Sequence, residues 1–171
     1  MKQIFFFLLM AFSLISNAQT AKCRNAIVVL SSAGNGSITA TGINNGSTGY
    51  TSLSLNPTTF NCSNVGANIV TLTATSANGN TSTCTGTATV RDLTKPLAKC
   101  KTASVNIGTD TTLDAQVVNN VSSDACGISS YTLTPNQFNC SNIGANSVTL
   151  SVKDVNNNVA TCTATIWITC N

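Results

Sequence analysis

The decisive stretch is Phe60-Asn61-Cys62-Ser63-Asn64-Val65-Gly66-Ala67-Asn68, which returns as Phe138-Asn139-Cys140-Ser141-Asn142-Ile143-Gly144-Ala145-Asn146. The two copies lie 78 residues apart and differ only at Val65 against Ile143. The offset extends outward from them. Cys84 matches Cys162, Pro57 matches Pro135, Gly49 matches Gly127, and Cys23 matches Cys100 one residue out of step. A period of this length marks a repeated structural unit. The units are expected over 19–96 and 97–171, joined near Thr94-Lys95-Pro96.

Within each unit the pattern has period two. Cys84, Gly86, Ala88 and Val90 fall on one side of a strand, and Thr85, Thr87 and Thr89 on the other. Cys162, Ala164, Ile166 and Ile168 repeat this, opposite Thr163, Thr165, Trp167 and Thr169. Such alternation describes a half-buried strand. Val70 to Ala74 and Val148 to Val152 behave likewise, and Asn78-Gly79-Asn80 and Asn156-Asn157-Asn158 supply the turns between. Asn and Gly tolerate the positive φ that tight hairpins need. Thr and Val favour strands, and nothing after residue 18 has helical periodicity. The expected fold is all-β, as two tandem immunoglobulin-like β-sandwich modules.

Residues 1–18 read as a cleaved signal peptide. Lys2 is followed by the apolar run Ile4–Ile15, and Ser16-Asn17-Ala18 ends it with small residues. That run is too short to span a bilayer comfortably, and no second one follows. The protein is therefore expected outside the cytoplasm, secreted or at the cell surface, with the periplasm as the other compartment and no membrane span after cleavage. An even set of eight cysteines agrees with an oxidising compartment. No pair has the short spacing of a zinc site.

In the repeated stretch, Phe60 and Phe138 read as apolar anchors and the cysteine two residues on as a covalent corner. Each corner is expected to pair with the cysteine 22 positions later, Cys62 with Cys84 and Cys140 with Cys162. A loop of this size stabilises by about 3 kcal/mol in the chain-entropy model, which matters in a small sandwich.

Composition argues against catalysis. The chain has no His and no Glu, and its five carboxylate side chains are Asp92, Asp110, Asp114, Asp124 and Asp154. General acid–base work and cysteine nucleophiles both need a tuned titratable partner, and no motif supplies one. No catalytic residue, cofactor or metal is expected. Asp154-x-Asn156-x-Asn158 offers oxygen ligands of the kind calcium takes, with Asp124 near the other end of the module. The first repeat carries Ser76 in place of Asp154, so the stretch reads as an Asx-rich turn. Charged residues make up 8%, against about 25% in ordinary globular proteins. Lys95, Lys99 and Lys101 flank the linker and form no basic stripe, so nucleic acid is not a partner. Trp167 is the candidate binding surface, because alternation turns it away from Ile166 and Ile168 onto a face of Thr.

The second repeat resembles the hyalin-repeat (HYR) group of immunoglobulin-like modules. The residues that carry this are Asp124-Ala125-Cys126-Gly127, Phe138 to Asn146, Val148-Thr149-Leu150, Asp154-x-Asn156-x-Asn158 and Thr161-Cys162-Thr163-Ala164-Thr165. The likeness is to the version found in tandem in secreted and surface proteins of gliding Gram-negative bacteria and their relatives. It implies stalks, spacers and adhesin segments. It also implies two bridges per repeat, Cys100–Cys126 and Cys140–Cys162. Thr48 stands where the first repeat would match Cys126, and Asp92 where it would match Cys170. Cys23 and Cys170 are thus left over. They could join each other if the modules fold back, bridge neighbouring molecules, or stay free. Surface proteins of this kind often add a C-terminal sorting domain, for which no segment is evident, so covalent surface attachment is not expected. Asp110-Thr111-Thr112 is similar to the short O-glycosylation signal of these bacteria, making Thr111 a candidate modification site.

The functional expectation is a secreted, non-enzymatic module pair in adhesion, ligand display or extracellular matrix. Its partner would be a protein or glycan surface ligand, with self-association possible. The alternative is a structural subunit of a filament or surface layer, cross-linked through Cys23 and Cys170.

Overall fold

A computed structural model describes residues 19–171, and the leader expected over 1–18 lies outside the described residues. The first module builds a four-stranded sheet from β1 (Ala26–Val29), β3 (Ser52–Asn56), β5 (Gly66–Thr75) and β6 (Thr81–Arg91). Its order is β1-β6-β5-β3, and a two-stranded sheet, β2 (Asn35–Ser37) with β4 (Thr59–Asn61), forms the other layer. The second module repeats the plan. Strands β7 (Ala103–Ile107), β9 (Ile128–Thr134), β11 (Gly144–Asp154) and β12 (Val159–Cys170) order as β7-β12-β11-β9. Its small sheet pairs β8 (Thr111–Thr112) with β10 (Gln137–Phe138). In each module the first strand runs parallel to the last, and the other pairings are antiparallel. The result is two tandem immunoglobulin-like β-sandwiches.

The alternation in the sequence sets the inward faces. Val70, Leu72, Ala88 and Val90 are buried with Val28, Leu30, Ile43 of the short helical turn and Phe60 of β4. Val148, Leu150, Val152, Ile166 and Ile168 are buried against Leu113, Val118 and Phe138. Burying a Leu, Ile or Phe side chain contributes about 1.5–3 kcal/mol, so each small core is adequate but benefits from a staple. Short helical turns interrupt the strands. Ala40–Ile43 forms one α-turn that buries Ile43, and Ala115–Val117 forms a 3-10 turn. One turn is too short to show a 3.6-residue period, which explains its absence from the sequence pattern.

The repeated nine residues form a strand end followed by a 3-10 turn, Cys62–Asn64 in one copy and Cys140–Asn142 in the other. The asparagines explain why the stretch recurs so closely. Asn61 Oδ1 accepts from Ser63 N at 2.9 Å, while Asn64 Oδ1 accepts from Asn61 N at 2.9 Å. The same reciprocal cap links Asn139, Ser141 and Asn142. Asn68 and Asn146 then close the turn, donating to the carbonyls of Asn64 and Asn142 at 2.6 and 2.7 Å. Three side chains thus take up backbone groups that the turn leaves without strand partners.

The bridges differ from those expected. Cys23 joins Cys84, Cys100 joins Cys162, Cys62 joins Cys126 and Cys140 joins Cys170, with Cα separations of 5.7, 5.9, 5.2 and 5.5 Å. The pairings Cys62–Cys84, Cys140–Cys162 and Cys100–Cys126 are therefore corrected, as is the reading of Cys23 and Cys170 as left over. Strand register gives the reason. Cys84 lies opposite Leu72, whereas the corner at Cys62 leads into Gly66, which lies opposite Val90. At about 3.3 Å per residue, Cys84 and Val90 are roughly 20 Å apart along the strand, out of reach of one disulfide.

Candidate functional site

Two places gather chemistry that the cores do not use. The first is the junction between the modules. The Cys62 corner of module one meets the Asp124–Gly127 turn of module two through the Cys62–Cys126 disulfide, and Asp92 meets the Asp154–Asn158 hairpin. Gly34 sits under this bridge with φ +74°, and a Cβ there would approach Cys62 Sγ to 2.7 Å and Ala125 Cβ to 3.3 Å. Glycine is required twice over, for the left-handed backbone and for the close approach.

Asp92, in the linker, is buried at 6% exposure. Its Oδ1 accepts from Thr94 N at 3.0 Å, and its Oδ2 accepts from Asn156 Nδ2 at 2.9 Å. Asn158 Nδ2 donates to the Asp92 carbonyl at 3.3 Å. Asp154 is fully buried and organises the hairpin beneath. Its Oδ1 accepts from Asn156 N and Asn158 N, both at 2.8 Å, and its Oδ2 from Asn158 Nδ2 at 2.7 Å. Buried carboxylates are tolerated when amides take up their lone pairs in this way. Carboxylate oxygens of Asp92 and Asp124 and the sulfur of Cys126 lie within 4.8 Å of one another. That sulfur is in the inter-module bridge. Asp154-x-Asn156-x-Asn158 thus forms an Asx-type turn whose amides reach across to the first module.

The second place is the outward face of the second module's large sheet. Trp167 on β12 is 53% exposed, so neither twist nor a loop covers it. It stands between Ser104 on β7 and Ala145 on β11. Thr165 and Thr169 flank it along its own strand, opposite Ser147 and Asn106. The first module carries Thr89 at the matching position, between Ile27 and Ala67. Trp167 and the junction are separate features of the second module, and the sequence reading did not join them.

Thr111 begins β8, half-buried, with its hydroxyl donating to the Thr109 carbonyl at 3.0 Å. It lies on the rim of a shallow depression of about 440 Å³ lined by Asp110, Thr112, Gln137, Phe138 and Asn139. The first module has a matching depression of about 430 Å³ over β2 and β4. Sequence reasoning missed the junction altogether. The signal was Asp92 standing where the repeat has Cys170, together with a hairpin one carboxylate richer than its counterpart.

No protein-family model matches the chain, and no curated protein sequence matches it. Similar solved structures include the protocadherin gamma B7 extracellular cadherin domains 1–4, at 12% identity and TM-score 0.40. That match covers 90% of this chain and 51% of the other, so the chain spans about half its length. The fibronectin(III)-like modules of CbhA from Clostridium thermocellum match at 13% identity and TM-score 0.31, over 90% of this chain and 93% of theirs. Titin domains I67–I69 match at 9% identity and TM-score 0.33, over 90% and 65%.

Proposed function

We propose that the chain is a non-enzymatic extracellular adhesion or display element of the hyalin-repeat kind, in which two immunoglobulin-like modules are held end to end as one stiff unit. The observation that carries this is the covalent junction. A bridge from Cys62 to Cys126 and the hydrogen bonds of Asn156 and Asn158 to Asp92 couple the modules across a short linker. Tandem modules ordinarily move relative to one another unless their interface resists it. A fixed joint serves an element that must hold a ligand-bearing face away from its base. Four disulfides support an oxidising, extracellular setting. The partner is a protein or glycan at a surface.

Cross-linking through Cys23 and Cys170 into a filament loses its chemistry, because both are bonded within the chain. The test of adhesion is direct. Beads coated with the oxidised protein are expected to stay on cells, or on extracellular polymer from the producing culture, under flow that strips albumin-coated beads. Equal release of both bead types overturns the reading.

A further inference from the structure

We infer that the outward face around Trp167 is a binding platform for a neutral polysaccharide, with the indole as the stacking surface. The inference rests on the adhesion reading and names its ligand class.

The face has three properties that select this ligand. The first is an open aromatic ring. Trp167 is 53% exposed, and its cross-strand neighbours Ser104 and Ala145 are too small to cover an indole. A pyranose ring presents a patch of C–H bonds that packs on such a surface. An aromatic side chain with a polar edge suits a ligand that is apolar on one side and wet on the other. The second is a surrounding field of neutral hydrogen-bonding groups. Thr163, Thr165, Thr169, Ser147 and Asn106 carry hydroxyls and an amide, each able to donate and accept. Thr169 Oγ1 donates to Asn106 Oδ1 at 3.3 Å, and Asn106 Nδ2 donates to Asn171 Oδ1 at 2.9 Å, so the amide is held in place.

The third is the sparseness of charge. Strands β7, β9 and β12 contain no charged residue, and β11 has only Lys153 and Asp154 at its far end. A single cation, Lys101, borders this field beside Thr163, Thr165 and Ser147, whereas a sulfated or uronic polymer, or a nucleic acid, is held by several cations along its length. A protein partner is also a poorer fit. Protein hot spots sit in a ring of groups that exclude water from a fully desolvated centre. Here one large aromatic is set among small, mostly polar side chains, Ser104, Ala145, Thr165 and Thr169. The ligand that matches is uncharged, polyhydroxylated and flat on one face. An extended β-linked glucan, mannan or chitin-type chain has these features.

Trp167 is the chain's single tryptophan, so its own emission reports on the site. The full secreted protein is titrated with cellohexaose, mannohexaose and chitohexaose, and with dextran sulfate as the charged comparison. At least one neutral hexasaccharide is expected to shift or quench the emission saturably. That affinity should change less than about twofold between 50 and 500 mM salt, because no ion pair is involved. By calorimetry, Trp167→Ala is expected to weaken binding at least about tenfold and Trp167→Tyr to retain most of it, with the thermal midpoint of both unchanged. The proposal is overturned if no neutral glycan perturbs the emission. It is also overturned if Trp167→Ala binds as well as wild type, if only dextran sulfate binds, or if the emission shift follows protein concentration through self-association. Bead retention separates the two readings. Retention that survives Trp167→Ala leaves adhesion standing and removes the glycan platform, whereas glycan binding without retention does the reverse.

Discussion

The Cys62–Cys126 bridge is the feature whose loss should tell most about how the chain works. Replacing both cysteines with serine removes it without leaving a free thiol. The bridge closes a loop of sequence separation 64. The chain-entropy relation gives about 4 kcal/mol for a loop of that order, with measured losses for native disulfides of about 2–5 kcal/mol. For modules of this size each kcal/mol moves the midpoint by roughly 4–8 °C, so a fall of at least about 10 °C is expected. The second consequence is mechanical. The side-chain hydrogen bonds of Asn156 and Asn158 to Asp92 then hold the junction without a covalent bond. At about 1 kcal/mol each they permit a population of opened hinge angles. Small-angle scattering of the double variant should show a broader distance distribution than wild type. The control is Cys140→Ser with Cys170→Ser, which removes a bridge of sequence separation 30 inside module two. That variant should lose about 3–4 kcal/mol yet keep the wild-type scattering curve. If the Cys62/Cys126 variant scatters like wild type, the bridge does not set the angle between modules and the stiff-unit reasoning fails.

Two further outcomes follow from local geometry. Asn61→Ala and Asn139→Ala each remove the cap of a 3-10 turn and should cost about 1 kcal/mol, read as a fall in midpoint by differential scanning calorimetry. An unchanged midpoint in both would refute the capping account of the repeated stretch. Gly86→Ala should destabilise by more than a cap deletion, because its Cβ would come within 2.6 Å of the Arg24 carbonyl oxygen, a backbone atom with little room to yield. The matching position in module two is already Ala164, where Ala164→Gly should cost about 1 kcal/mol or less, so similar losses at both sites would sink the argument.

The sandwich was legible because its evidence is periodic. Cys84 to Val90 and Cys162 to Ile168 alternate, and the inward positions of both are the ones the cores bury or half-bury. The nine-residue stretch was legible as a corner, with Phe60 and Phe138 buried as anchors. The bridges were misread because a pairing from spacing ignored register, although register could be counted. The Asn78-Gly79 hairpin sets Thr75 opposite Thr81, and every later pair mirrors about that turn until Gly66 meets Val90. The same mirror in module two brings Gly144 to Ile168, which puts Cys140 beside the end of β12, where Cys170 lies. The junction was not legible in this way. It is made by the ends of two modules, and no periodicity within either one encodes what the other presents. The exposure of Trp167 was half legible, since alternation gave its side but not whether a loop would cover it.

The two corners are nearly identical in sequence yet use their cysteines differently, and position 92 explains this. Asp92 occupies the place that Cys170 holds in the second repeat. Both follow the end of the last strand's pairing with the strand after the corner. In module two a sulfur at that place takes the corner cysteine, with Cα atoms 5.5 Å apart. In module one a carboxylate stands there. It accepts hydrogen bonds from Asn156 and leaves Cys62 to reach Cys126. One residue thus decides whether a corner closes on its own module or couples to the next. Asp92→Cys tests this. The new thiol should compete for Cys62, yielding a bridge between positions 62 and 92 and an alkylatable Cys126. Peptide mapping under non-reducing conditions reads the partition directly. Scattering should broaden in the fraction whose Cys126 is free. If Cys62–Cys126 forms quantitatively and position 92 alone is alkylated, the approach of module two governs the pairing and the end of β6 does not.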